Sequence, residues 1–397
     1  MIDDPMGIIM VLLVIEGAIL YAAGRRRAER FFKYVPAMFW IYFLPMLANT
    51  IGLIPPKENL AGEVITPVYG VITTYCLPAC LVLLLISVDL RAIYRLGAVA
   101  IAVMLAGSLG TLVGGPIVML IFGSRLPPEI WSGIGALSAS WMGGSSNMIA
   151  VAESVGTPSK IYGTMIVADT IIPYAWMGLL ILLSAHQAKF DRWNRARSDI
   201  LDDLKRRTAG GAAARSEPIT LRHLVVMFAV AAVGTYAAIQ LAGVLPVVPQ
   251  IVSQFAWTII LATALGLLLS LTPIRRLERF GASTIGYGLL YFVLASIGAR
   301  TSLTSLADAP LMIVVGIVWV LIHGAFILAA GRLFRAPMAL MAAASQANMG
   351  GTASAPVVAE IYHKGLAPVG LLLAVLGSIV GTYLGILCAH ICRFLSG

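Results

Sequence analysis

Apolar runs long enough to cross a lipid bilayer recur along this chain from one end to the other. A membrane-spanning helix needs roughly 20 such residues. The segments Met6–Ala23, Val35–Ile54, Thr66–Val88, Gly97–Phe122 and Ile161–Ser184 approach or reach that length in the first half of the chain. His223–Gly243, Gln250–Leu271, Ala282–Ala299, Ala309–Ala330 and Leu366–Ile391 do so in the second. Composition points the same way. Soluble proteins are about 45–50% apolar and about 25% charged, whereas this chain is 59% hydrophobic and 11% charged. So few ionisable side chains cannot cover a water-facing globule, which excludes a soluble enzyme. An all-α polytopic membrane protein is expected. The formal charge of +9 then reads as basic cytoplasmic loops held against anionic lipid, not as a nucleic-acid surface. Asp3 and Asp4 stand where a signal peptide would be basic, so the first run is expected to remain as a span.

Two further apolar segments, 131–153 and 338–362, differ from these runs. The first carries Ala-Ser-Trp-Met-Gly-Gly-Ser-Ser-Asn at 139–147 and Val-Ala-Glu at 151–153. The second carries Ala-Ser-Gln-Ala-Asn-Met-Gly-Gly-Thr at 344–352 and Val-Ala-Glu at 358–360. A constant offset of 207 residues, from Met142 to Met349, aligns Met-Gly-Gly and Val-Ala-Glu. It also aligns Gly163 with Gly370 and Gly178 with Gly385. The chain therefore reads as two related halves, 1–185 and 223–397. Between them lies a basic stretch, 186–222, with nine Lys/Arg and a flexible run at Thr208–Ala214, expected to be a cytoplasmic linker.

Charge decides how the halves lie. If both Gly-Gly segments crossed the bilayer fully, most basic loops of the second half would fall outside, against the positive-inside rule. If each enters and leaves on one side, every half has five spans and the second is inverted. Only Lys57, Arg125, Lys160, Arg300 and Arg393 of the 27 basic residues then remain outside. Two inverted five-span repeats are expected, each with a Gly-Gly broken helix or re-entrant hairpin, and with both termini outside.

A break at Gly-Gly is cheap, at roughly 1 kcal/mol per helix-interior glycine. It frees backbone N–H and C=O groups that protein, water or ligand must satisfy in hydrocarbon. Helix N-termini at such a break attract carboxylates, and freed carbonyls and hydroxyls coordinate sodium. The substrate-binding candidates are therefore Ser145, Ser146, Asn147, Gln346, Asn348, Thr352 and Ser354, with Arg300 at the outer end of a span. Close helix packing through small residues is the alternative role for the hydroxyls. Asp169 lies within a span, where an ionisable group is expensive and typically belongs to an ion or proton pathway. Asp169 and Thr170, with Ser378 and Thr382 on the last span, form the ion-coupling candidates. A sodium ion is expected at Asp169, Thr170 and Asn147. Glu16 makes a weaker case, and Glu153 and Glu360 read as caps or gates at segment ends. Cys388, His390 and Cys392 are a poor metal set, because i and i+2 point to different helix faces. No His-x-x-x-His pair and no nucleotide-binding glycine loop occur, so an ion gradient, not an enzymatic step or cofactor, is expected to drive any active transport.

Residues 137–153, with Val-Ala-Asp-Thr at 167–170, resemble the YjcL-like family of bacterial membrane proteins of unknown function. That family is similar to the superfamily of glutamate, citrate and bile-acid sodium symporters and cation–proton antiporters. The resemblance implies a scaffold, a mobile core transport domain and inverted repeats, with Gly143, Gly144, Gly350 and Gly351 at hairpin tips. Ser-Ser-Asn after the first Gly-Gly departs from the glutamate symporters, so their substrate is not carried over. The expected function is sodium-coupled symport of a small anionic or zwitterionic organic solute by a homodimer in the bacterial inner membrane. Two other readings stay open. One is a proton-coupled carrier or cation/proton antiporter; the other is a non-transporting receptor or structural partner that uses the 186–222 loop.

Overall fold

The structure is a computed structural model. It describes the chain except residues 26–27, 29–30, 33–36, 57–65, 198, 209–217, 248–252, 301–308 and 397. Its regular elements, among the described residues, are all helical. In the first half they are α1 (Pro5–Ala23), α2 (Ala37–Thr50), α3 (Val68–Ile86), α4 (Leu90–Tyr94), α5 (Gly97–Phe122), α6 (Ile130–Gly143), α7 (Ser145–Ser154) and α8 (Ser159–Leu183). Next come α9 (Gln187–Asn194), α10 (Asp199–Thr208), α11 (Leu221–Val244), α12 (Gln254–Ser270) and α13 (Ala282–Ala299). The chain ends with α14 (Ala309–Leu333), α15 (Met338–Tyr362) and α16 (Ala367–Leu395).

Eight helices among the described residues are long and apolar enough to span a bilayer, or nine if one bent pair counts as a span. Two of the ten expected spans come out short among the described residues. Val35–Ile54 contributes the 14-residue α2, which gives way to a turn with Gly52 at φ 75°. Gln250–Leu271 contributes the 17-residue α12. The Ser253 hydroxyl caps its start by accepting from Ala256 N. At its far end the chain bends by 94° into the 3-10 helix Pro273–Phe280. Proline lacks the N–H that would continue the α-helical ladder, so Pro273 helps set that end. Apolar composition alone did not reveal either stop.

The chain forms two compact units. One comprises Met1–Ser87, Thr157–Thr170 and Pro218–Ala309. The other comprises Val88–Gly156, Ile171–Glu217 and Pro310–Gly397. Each unit thus draws on both sequence halves, and α8 passes from one to the other after Thr170.

In the first unit α3 packs against α11, α12 and α13. Hydrocarbon offers no hydrophobic drive between helices, so close fit has to hold them. Gly234, Gly266 and Gly286 supply it: a Cβ at any of them would press on Val82, Leu85 or Leu84 of α3. Val82, Leu83 and Ile86 meet Met227, Ala231, Ala238, Ala262 and Ala282 in a shared core. In the second unit α16 occupies the equivalent central place, packed on α5, α6, α7 and α15. The 186–222 stretch is structured over α9 and α10. Its expected flexible run lies, beyond Thr208, outside the described residues.

Candidate functional site

Both Gly-Gly segments break at their second glycine. Gly144 has φ 90° and ψ 175°, and Gly351 has φ 61° and ψ −152°. Side-chain-bearing residues avoid such backbone conformations. The two broken positions are 207 residues apart, the offset that aligns the sequence halves.

The first segment folds back on itself against α16. Gly377, Gly381 and Gly385, spaced by four, form a shallow groove on that helix. A Cβ at Gly381 would lie 2.6 Å from the Asn147 amide and 2.9 Å from Gly143 Cα. A Cβ at Gly385 would lie 2.5 Å from Ala139 Cβ and 3.0 Å from Val151 Cγ2. Further along, Gly135 sits against Ala389. Residues before and after the break therefore share the same levels of α16. Both limbs run from a tip near Gly381 toward the C-terminal end of α16, and that tip stands near the middle of the 29-residue helix.

Asn147 fixes this tip. Its Oδ1 accepts from Thr382 Oγ1 at 2.6 Å, and its Nδ2 donates to the Ser378 carbonyl at 3.2 Å. The structure thus joins three predicted residues, Asn147, Ser378 and Thr382. Their partners are one another, while the Ser378 hydroxyl donates to Val375 O at 2.7 Å. Ser145 and Ser146 are half-buried in the first turn of α7, beside the backbone N–H groups that the break frees.

The second segment also folds back. Gln346 Nε2 donates to Ser354 Oγ at 2.8 Å. In a straight helix eight residues rise roughly 12 Å, so this bond, made over Gly350, requires the helix to bend there. On α8, Trp176 Nε1 donates to Ser345 Oγ at 2.9 Å, and Leu180 O accepts from Tyr362 OH at 2.5 Å. One helical turn of α8 therefore meets both limbs. Gln346 is 1% exposed, and its Oε1 has no hydrogen-bond partner. Gln346 thus places a buried acceptor near the tip. Thr352, by contrast, is exposed. Asn348 is fully engaged on α5, accepting from Ser108 Oγ at 2.7 Å and donating to Met104 O at 3.1 Å.

Asp169, Thr170 and Arg300 belong to the first unit. Asp169 is half-buried. The Thr170 hydroxyl donates to Ile166 O at 2.8 Å within its own helix. Arg300 Nη2 donates to Thr73 Oγ1 at 3.3 Å. Among the described residues no group of three His, Cys, Asp or Glu is placed to hold a metal ion.

His323 was not singled out in the sequence. It is fully buried in α14. Its Nδ1 lies 2.9 Å from Gly107 O and its Nε2 lies 2.9 Å from Ser345 Oγ. A carbonyl can only accept, so Nδ1 carries a proton and donates to Gly107 O, while Nε2 meets the Ser345 hydroxyl. Trp176, Ser345, His323 and Gly107 then form a continuous chain of donors and acceptors behind the first limb of the second hairpin. The depth argument that selected Asp169 applies equally to a histidine inside an apolar span.

Comparison with known proteins agrees with the sequence resemblance. A relative described as "Uncharacterized membrane protein YjcL", from Bacillus subtilis (strain 168), is 26% identical over 353 residues, covering 86% of this chain and 85% of that protein. Residues 10–395 match the family described as "Protein of unknown function (DUF819)". With bilayer-length helices along its whole length and a family match from residue 10 to residue 395, the chain is a multi-pass membrane protein that belongs to the DUF819 family.

Proposed function

We propose that this protein is a secondary active transporter that carries a small polar organic solute, anionic or zwitterionic, in symport with sodium. The observation that carries this reading is the pair of glycine-broken hairpins in one compact unit. Irregular backbone at membrane depth is tolerated where protein buries it or where it lines a cavity. Here the first tip stands at mid-helix, and its serines leave backbone donors at the start of α7. A solute carboxylate suits that helix N-terminus. The buried Gln346 Oε1 offers the second tip's acceptor to a cation or a solute ammonium group.

The arrangement of the hairpins supports two inverted five-span repeats. The first hairpin lies on α16 at residues 377–389, and the second lies on α8 at residues 173–180, where Gln346 Nε2 reaches Pro173 O at 3.5 Å. Subtracting the offset of 207 carries 377–389 onto 170–182. Each hairpin therefore packs on the last long helix of the opposite half at matching levels. In this reading the second unit is the moving core and the first the scaffold of a homodimer in the inner membrane, with both termini outside. Asp169 and Thr170 take part in ion coupling, and combined binding of cation and solute permits the rocking or elevator-like step.

Uptake into proteoliposomes tests the proposal. A screen for thermal stabilisation by metabolites, with and without sodium, identifies the solute. Accumulation of that solute should then follow an inward sodium gradient and collapse when the gradient is removed. Uptake that tracks pH and ignores sodium would transfer the coupling to protons.

A further inference from the structure

Beside the second hairpin, the second compact unit contains an apolar cavity of about 110 Å³. Trp176, Leu180 and Phe190 line one wall, Leu328 another, and Met341 and Tyr362, from the two limbs of α15, a third. Its size is on the scale of dry cavities that take up one small hydrocarbon.

Three observations indicate what fills it. The first is chemical. The lining has few polar groups, and these are occupied: the Ser345 hydroxyl accepts from Trp176 and meets His323, and Tyr362 OH donates to Leu180 O. A bound water needs two to four polar partners, so neither water nor a polar solute suits this space. The second is dimensional. From Trp176 to the end of α8 at Leu183 the helix rises roughly 10 Å. One leaflet's hydrocarbon is about 15 Å deep, and the headgroup layer adds about 5–7 Å. The apolar run of α8 ends near Leu183, so Trp176 falls within the hydrocarbon, and Phe190 stands past the polar turn at Ser184–His186, toward the headgroups. The third concerns access and charge. Leu328 is 52% exposed and Leu183 37% exposed, so the wall opens sideways to where lipid stands. Lys189 and Arg192 are exposed beside Phe190, at the level of a phosphate.

We propose that this groove seats a segment of a few methylenes from one acyl chain of a membrane phospholipid, lying against Trp176, with the headgroup beside Lys189 and Arg192. Met338 and Met341 come from one limb of the hairpin and Tyr362 from the other. A seated chain therefore fills the open end of the hairpin and holds both limbs against α8 and α14. The hairpin's freedom then depends on lipid, whatever solute the protein handles.

The test uses the full chain and does not depend on transport. Purified protein is examined by native mass spectrometry after mild detergent extraction, and again in phosphatidylethanolamine–phosphatidylglycerol vesicles whose phosphatidylglycerol carries dibrominated chains. The expected result is one retained phospholipid per wild-type chain, and bromine quenching of a fluorescence component that Trp176→Phe removes. Ala342→Phe, which fills the groove without touching a hydrogen bond, should cut lipid retention at least five-fold and abolish that quenching. Leu328→Trp at the exposed rim should act likewise, and serves if Ala342→Phe does not fold. Unchanged retention in a folded groove-filling variant would overturn the proposal. So would an unquenched Trp176, or a non-lipid apolar metabolite as the retained molecule.

Discussion

Asn147 and Gln346 look alike in sequence, each an amide a few residues from a Gly-Gly pair, yet their surroundings differ. Asn147 has both ends of its amide bonded to α16. Asn147→Ala should therefore destabilise the protein by about 1–3 kcal/mol, the cost of stranding a buried partner. A double-mutant cycle with Thr382→Val, read as thermal unfolding in detergent, should show clear coupling between the two positions. Gln346 keeps a buried oxygen without a partner. Gln346→Met should leave the melting temperature within a few degrees of wild type while solute uptake falls at least ten-fold. Equal losses of stability and uptake would make it another brace. Gly351 adds a backbone constraint. Gly351→Ala forces a side chain into the φ 61°, ψ −152° conformation and should cost about 1–3 kcal/mol, measured in the same unfolding assay. The glycine breaks were legible in the sequence because only glycine adopts these angles freely. His323 carried the same depth signal as Asp169, but its place in a hydrogen-bonded chain shows only when Gly107 and Ser345 are seen around it.

At the scale of elements, the basic stretch after α8 does more than connect. Asp191 Oδ1 in α9 accepts from Met338 N at 2.8 Å, capping the first limb of the second hairpin. Asn194 Nδ2 donates to Gly331 O at 3.1 Å and Ala336 O at 2.8 Å, tying down the corner between α14 and α15. Arg332 adds a bond to Trp193 O at 2.9 Å and lies over the Trp193 ring. Asp191→Ala removes a helix cap and should cost about 1 kcal/mol, seen as a lower melting temperature. The sequence marked 186–222 as polar and basic, which locates a segment outside the bilayer. It could not show that the first eight residues after His186 dock on a hairpin, since their partners lie some 140 residues downstream. The short α2 and α12 teach a related lesson. Hydropathy gives the length of an apolar run, whereas the turn at Gly52 and the cap and bend around α12 set the length of the helix.

For the whole molecule, the central prediction is functional. In proteoliposomes an inward sodium gradient should drive accumulation of the solute, and Asp169→Asn should abolish the coupling while leaving the protein folded. Undiminished sodium-driven uptake in Asp169→Asn would remove that residue from the mechanism. The sequence by itself determined that the chain lives in a bilayer, because 11% charged residues cannot cover a soluble surface. It also pointed to where the backbone breaks, because the repeated Met-Gly-Gly beside small hydroxyl residues makes a break cheap, whereas Gly114-Gly115 stays inside the continuous α5. Tertiary structure decided which polar groups near those breaks are spent on packing and which stay open. Asn147, Thr382, Asn348 and Ser345 carry the same chemistry as a binding site, and their bonds to α16, α5 and α8 consume it. Hydrogen-bond satisfaction depends on neighbours hundreds of residues away, and no local pattern records it.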